Sequence, residues 1–298
     1  MTTVEATKAE TEVPKPEPVQ EKDGRVINVF SHGFLALWAA MVILPLIWVF
    51  INSLRSSGDI NRHPIGWPTE ADWSNFAGAW ADAHIGEYFL NTLIVLAMSV
   101  TGTMLLGAMA AYVLARYDFW GNRVIYYGFV AGMMFPVFLA LFPLYKILAN
   151  IGLKDTFVGL ALSYIAFSLP FTIFFLTAFF RTLPTSIAEA AMIDGAGHYR
   201  LFFQVMLPMA KSGIISITIF NIIGQWNQFI LPLALMSTTE GQGQVLSVGL
   251  QELVGQAGAQ TDTGVLFAAM SLAILPMVAA YVLFQRQIRG GMTAGAVK

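Results

Sequence analysis

The chain has 298 residues, 56% of them hydrophobic and only 11% charged, with a formal net charge of -2. Soluble domains carry about 25% charged residues, so much of this surface is built to face something other than water. The absence of cysteine excludes disulfides, thiolate metal sites and a cysteine nucleophile.

Residues 1–25 are rich in Glu, Lys, Thr and Pro, with Pro14, Pro16 and Pro18 alternating. Such a segment cannot bury a core, and a disordered tail is expected. No short basic stretch leads directly into an apolar run there, so it does not read as a signal peptide. The first apolar run reads as an uncleaved anchor. Stretches free of Asp, Glu, Lys and Arg then occupy 26–54, 88–115, 124–145, 156–180, 212–239 and 263–285. About 20 apolar residues cross a bilayer as a helix. Barrel strands are shorter, about 10 residues, and alternate in character. These runs are long and continuous. The expectation is an all-α membrane protein with six transmembrane helices, near 32–52, 89–114, 124–148, 156–180, 212–236 and 264–285. They would form one membrane domain over 26–289, with a loop over 181–211 and a C-terminal tail over 290–298.

Orientation follows from Lys and Arg in the connections. One side carries Lys8, Lys15, Lys22 and Arg25, then Arg116 and Arg123, then Arg181, Arg200 and Lys211, and finally Arg286, Arg289 and Lys298. The other side carries only Arg55, Arg62, Lys146 and Lys154. Both termini are therefore expected in the cytoplasm. The long outer loop, 53–87, holds Trp67, Trp73, Phe76 and Trp80, suited to a membrane interface or to an external partner. Pro45, Pro136, Pro143, Pro170, Pro232 and Pro276 fall within the spans, and each can kink its helix.

Residues 181–211 form the most informative segment. Ser186 and Glu189 stand at capping-box spacing. A short helix is expected to start near Ile187, with Gly195 and Gly197 as stop signals. A second amphipathic stretch, 198–206, carries Tyr199, Phe202 and Phe203 before Pro208 and the fifth span. Ala188, Ala190 and Ala191 give the first helix a small surface that another protein can approach closely. A structured, partly apolar cytosolic loop implies something packed on it. Asp194 and His198, four apart, could form a local polar pair.

The run Glu189-Ala190-Ala191, Gly195, Val205 and Leu207-Pro208 resembles the EAA loop of binding-protein-dependent ABC importer permeases. Val205 stands where isoleucine is usual, and Ser212 where proline is common. The segments Asn52-Ser53-Leu54-Arg55, Asn75-Phe76, Tyr88-Phe89-Leu90-Asn91-Thr92 and Trp226-Asn227-Gln228-Phe229 resemble carbohydrate permeases of the maltose-transporter group. So does the ending from Gly290 to Lys298. The likeness is strongest to the MalG-type subunit. It implies a type I importer architecture in which Glu189, Ala190, Ala191, Asp194, Gly195, Leu207 and Pro208 dock on an ATPase. It also implies a second, MalF-like permease, two ATPase subunits and an extracellular sugar-binding protein. No cofactor is expected in this chain, because ATP and magnesium would belong to the ATPase. Membrane lipid is an expected partner; nucleic acid is not.

The chain contains no G-x-x-x-x-G-K-[ST] sequence, and His32, His63, His84 and His198 lack metal-ligand spacing, so no catalytic role is expected. The rival reading is an ion-coupled secondary transporter or channel. The span centres lack the acids and bases that often mark such carriers, although sodium can be held by backbone carbonyls alone. Asn221, Gln225 and Gln228 fall at i, i+4 and i+7, on one face of the fifth span. Their amides could meet sugar hydroxyls or bind neighbouring helices. Tyr112 and Tyr164 are weaker path candidates.

Overall fold

The computed structural model describes residues 21–236, 243–256 and 262–294, and every regular element among them is helical. The chain divides into two units between Trp48 and Val49. In the first lies most of α1 (Glu21–Asn52), apolar on all sides, with Phe30, Phe34, Trp38 and Met41 exposed. A helix hydrophobic all round has no water-facing side and fits a membrane. It starts at Glu21, inside the expected tail; residues 1–20 lie outside those described.

The second unit contains α2 (Ser57–Arg62), α3 (Ser74–Ala81), α4 (Ile85–Arg116), α5 (Asn122–Met133), α6 (Val137–Asn150) and α7 (Phe157–Thr182). Then follow α8 (Thr185–Ile193), α9 (His198–Arg200), a π-helical turn (Leu201–Met206), α10 (Leu207–Met209), α11 (Lys211–Trp226), α12 (Ile230–Leu235), α13 (Leu246–Gln256) and α14 (Thr263–Ala294). Four helices, α1, α4, α7 and α14, contain unbroken stretches long and apolar enough to cross a bilayer. The count reaches six only if each of two bent pairs is one span.

Two expected spans are not straight. The third is α5 and α6, meeting at 103°. Met134, Phe135 and Pro136 separate them, and Pro136 takes an extended conformation with ψ 125°. Helices of 12 and 14 residues rise about 18 and 21 Å, short of a roughly 30 Å hydrocarbon core. The expected fifth span ends its first helix at Trp226, breaks at Asn227–Phe229 and resumes as α12. Between α12 and α14, outside every expected span, lies α13. At the C-terminus, α14 runs through Gly290 to Ala294, where a tail was expected, and residues 295–298 lie outside those described.

Helix α4 is the axis of this unit, taking part in three buried clusters. Val95 joins Leu160, Tyr164 and Leu231; Tyr112 joins Phe180, Phe202 and Met206; Ile85 and Tyr88 join Leu246 and Leu266. Its approach to α7 is close: a Cβ on Gly107 would stand 2.6 Å from Thr172 Cγ2. Small residues at such crossings let membrane helices pack without a hydrophobic driving force.

At the outer-loop end, Arg55 is 1% exposed. Its Nη1 donates to Asn52 Oδ1 at 2.9 Å, its Nε to Asp59 Oδ2 at 2.7 Å and its Nη2 to His63 O at 2.8 Å. Asn75 Nδ2 donates to both Ser53 O and Arg55 O at 3.0 Å. Ser57 Oγ bonds Asp262, and Gly264 N–H donates to Ser57 Oγ at 3.1 Å. The resulting knot joins the end of α1, the outer loop and the start of α14. Of the loop tryptophans, Trp73 packs at a tilt against Phe76 and Trp80 against Phe89, whereas Trp67 is 78% exposed.

Candidate functional site

At the opposite end of α7, Leu183 and Pro184 are extended, and α8 begins at Thr185. The start is two residues earlier than the capping box requires. Pro184 is the N-cap and no side chain caps the helix, so Ser186 lies inside the first turn and the Ser186–Glu189 box is not formed. Pro184 fixes the start instead, because its ring presets φ ahead of the turn. One face of α8, Ala188 and Ala191, packs against the Tyr112–Phe180 cluster. The other face presents Glu189 and Ala190 beside Ile187, Met192 and Ile193, the last 87% exposed.

The C-terminus of α8 behaves as the sequence indicates. Gly195 has φ +79°, its N–H donates to Met192 O at 3.0 Å, and Ala196 N–H donates to Ala191 O at 2.9 Å. This bond pair is a Schellman motif, which favours glycine at that backbone angle. Asp194 is the C-cap and exposed. His198 bonds Tyr117 rather than Asp194: Tyr117 Oη and His198 Nδ1 are 2.9 Å apart.

Gly197 restarts the chain as N-cap of α9, and helical winding continues to Met209. The turn Leu201–Met206 is π-helical and buries Leu201, Phe202 and Met206. Pro208 lies inside this helical run, not after it. Proline lacks an N–H and crowds the carbonyl four residues back; a widened π turn just before it relieves both demands. Leu207 is half-buried and Pro208 exposed. Ala210 is buried at the corner, and α11 departs at 78° to His198–Met209. Beside the loop, an apolar cavity of about 350 Å³ is lined by Met109, Tyr112, Val113, Tyr199, Phe202 and Phe203.

The second candidate region is a cavity of about 460 Å³ bounded by the α5–α6 bend, α7 and α11. Phe135, Phe167, Phe171, Phe220 and Tyr164 give it aromatic walls, and Ser168, Asn221, Gln225 and Gln228 add polar groups. Asn221 is 4% exposed, and its Nδ2 donates to Thr172 Oγ1 at 2.9 Å and Ile217 O at 3.0 Å. Gln225 is 5% exposed; its Oε1 accepts from Ser99 Oγ at 2.5 Å and its Nε2 donates to Ser168 Oγ at 3.0 Å. These two amides tie α11 to α4 and α7. Gln228 does not complete a helical face with them, because α11 ends at Trp226. It occupies the break, where its backbone carbonyl accepts from Ser247 Oγ at 2.8 Å, and its half-buried side chain lines the cavity. Tyr164 lines the same cavity, whereas Tyr112 lies in the loop cluster. No group of metal-ligating side chains occurs among the described residues.

Residues 103–293 match the family described as binding-protein-dependent transport system inner membrane component. The diacetylchitobiose uptake system permease protein NgcG of Streptomyces coelicolor is 48% identical over 274 residues, covering 92% of this chain and 90% of that protein. The trehalose transport system permease protein SugB of Mycobacterium tuberculosis is 32% identical, covering 86% and 92%. Among solved structures, a chain of a bacterial ABC transporter involved in the import of alginate aligns over 90% of this chain and 99% of its own length. Its TM-score is 0.79 at 21% identity, a likeness of fold.

Proposed function

The chain belongs to the binding-protein-dependent transport system inner membrane components, and from that premise we propose that it is the permease subunit of an ATP-driven importer for a sugar or oligosaccharide. It crosses the membrane with the basic connections and both termini in the cytosol. A second permease completes the path, two ATPase subunits bind ATP and magnesium, and an extracellular binding protein delivers the sugar. This chain has no catalytic role.

The observation that carries the reading is the loop 183–210. Its first helix is set by Pro184, stopped by the Gly195 Schellman turn and backed by packed alanines, while Glu189 and Ala190 remain exposed. A short rigid helix with an exposed edge suits insertion into a groove of an ATPase. Leu207 and Pro208 set the corner into α11, so a push on the loop reaches the cavity wall. That cavity has no charged lining residue, and its aromatic faces suit the C–H faces of an uncharged saccharide. Gln228 is its best-placed contact for a sugar hydroxyl, whereas Asn221 and Gln225 chiefly hold helices together.

Reconstitution tests the proposal. Sugar uptake should require the partner permease, the ATPases, the binding protein and ATP together. Ion-driven uptake by this chain alone would overturn it. Calorimetry on the binding protein then identifies the sugar.

A further inference from the structure

Both halves of the loop are fastened to one place, the end of α4. Arg116 Nη2 donates to Leu183 O at 2.6 Å, at the root of α8. The next residue, Tyr117, bonds through its hydroxyl to His198 Nδ1 at 2.9 Å, at the first residue of α9. Between these bonds the Tyr112 ring packs on Phe180 at 5.6 Å, Phe202 at 5.1 Å and Tyr117 at 5.8 Å between centroids. Asn122 Nδ2 donates to Tyr117 O at 2.7 Å and closes the end of α4. Arg116 has no carboxylate within ion-pair distance among the described residues. A cation serving only to orient the chain in the membrane needs no carbonyl partner. Here the guanidinium makes a charge-assisted bond, stronger than a neutral one, at the junction where α7 becomes α8.

We propose that Arg116 and Tyr117 are positioning residues that lock α4 to both halves of the docking loop, so that ATPase closure moves α4 and the loop as one body. The proposal rests on the docking reading given above. Without these bonds, loop motion would reach the membrane only through the chain connections to α7 and α11 and through the non-directional packing of Tyr112 on Phe202. With them it also acts on α4, which packs on α7 and is tied through Ser99 to Gln225 beside the cavity.

The cysteine-free sequence allows site-directed spin labelling without background from this chain. In the complete importer complex, labels at Trp120→Cys and Thr185→Cys report the lock. A second pair, Ile65→Cys and Thr185→Cys, reports loop movement against the outer loop. Distances are read without nucleotide and with ATP in EDTA, which permits binding and blocks hydrolysis. The expected result is an ATP-dependent shift for 65–185 and none for 120–185. Tyr117→Phe, which keeps the ring, and Arg116→Met should each make the 120–185 distance ATP-dependent, and Arg116→Lys should partly restore its constancy. A 120–185 shift in the parent complex, or parental behaviour in both Tyr117→Phe and Arg116→Met, overturns the lock while leaving docking intact. A 65–185 distance that ignores ATP overturns the docking reading, and the lock with it.

Discussion

The two ends of the membrane domain are held in opposite ways. At the outer-loop end, a buried arginine gathers polar partners from α1 and the outer loop: Arg55 bonds Asn52, Asp59 and His63, and Asn75 bonds Ser53 and Arg55. At the other end, the loop 183–210 is secured by aromatic packing, a Schellman turn and two bonds to the end of α4. Dense hydrogen bonding fixes an element in place; sparse bonding around a rigid helix lets it move as a unit. Under the function proposed above, the Arg55 end would serve as a frame and the loop end would be where motion enters.

The comparison is broken most severely at Arg55. Arg55→Met should lower unfolding stability by roughly 3 kcal/mol, because it removes the buried guanidinium's bonds to Asn52, Asp59 and His63 together. Thermal unfolding in detergent measures the loss, and a change under about 0.5 kcal/mol would deny the knot its framing role. Next comes Gly195→Val. The left-handed angle at this position disfavours a β-branched residue by about 1–2 kcal/mol, so α8 should fray and ATPase retention on copurification should fall. Gln225→Leu should cost about 1 kcal/mol by removing its bonds to Ser99 and Ser168. Glu189→Ala should be the mildest for stability, within about 0.5 kcal/mol, because the side chain is exposed. Its effect should appear in the ratio of sugar transported to ATP hydrolysed, which separates docking from folding.

The outer knot also makes a pH prediction. The hydrogen bond from Arg55, aided by its charge, holds the Asp59 carboxyl below the usual carboxylate value. A depressed value contributes stability that is present above the ordinary range, about pH 4, and is lost as pH falls through the folded-state value. Unfolding curves should therefore show this pair's contribution in full and independent of pH between about pH 5 and 7, and a loss below about pH 4 that Asp59→Asn abolishes.

Legibility follows the range of the interactions. Charge-free runs locate α4, α7 and α14, because a span is a local property of composition. Gly195 is legible for the same reason: helix termination needs one residue and its neighbours. The breaks at Met134–Pro136 and Asn227–Phe229 are not, because Pro143, Pro170 and Pro276 occur inside helices that continue. The capping box misleads because Pro184 starts α8 before Ser186 can serve as cap. Asn221 and Gln225 read as a polar face until Thr172, Ser99 and Ser168 arrive from other helices. Arg116 and Tyr117 carry no local signal beyond one positive charge, since their partners lie 67 and 81 residues away.

The most direct test of the central claim uses single cysteines introduced into the cysteine-free chain within the assembled complex. Ala190→Cys on α8 and Trp67→Cys in the outer loop are each treated with a short bifunctional crosslinker. The account predicts that Ala190→Cys links to an ATPase subunit, with a yield that changes on ATP binding, and that Trp67→Cys does not. Linkage from Trp67→Cys but not from Ala190→Cys would contradict it.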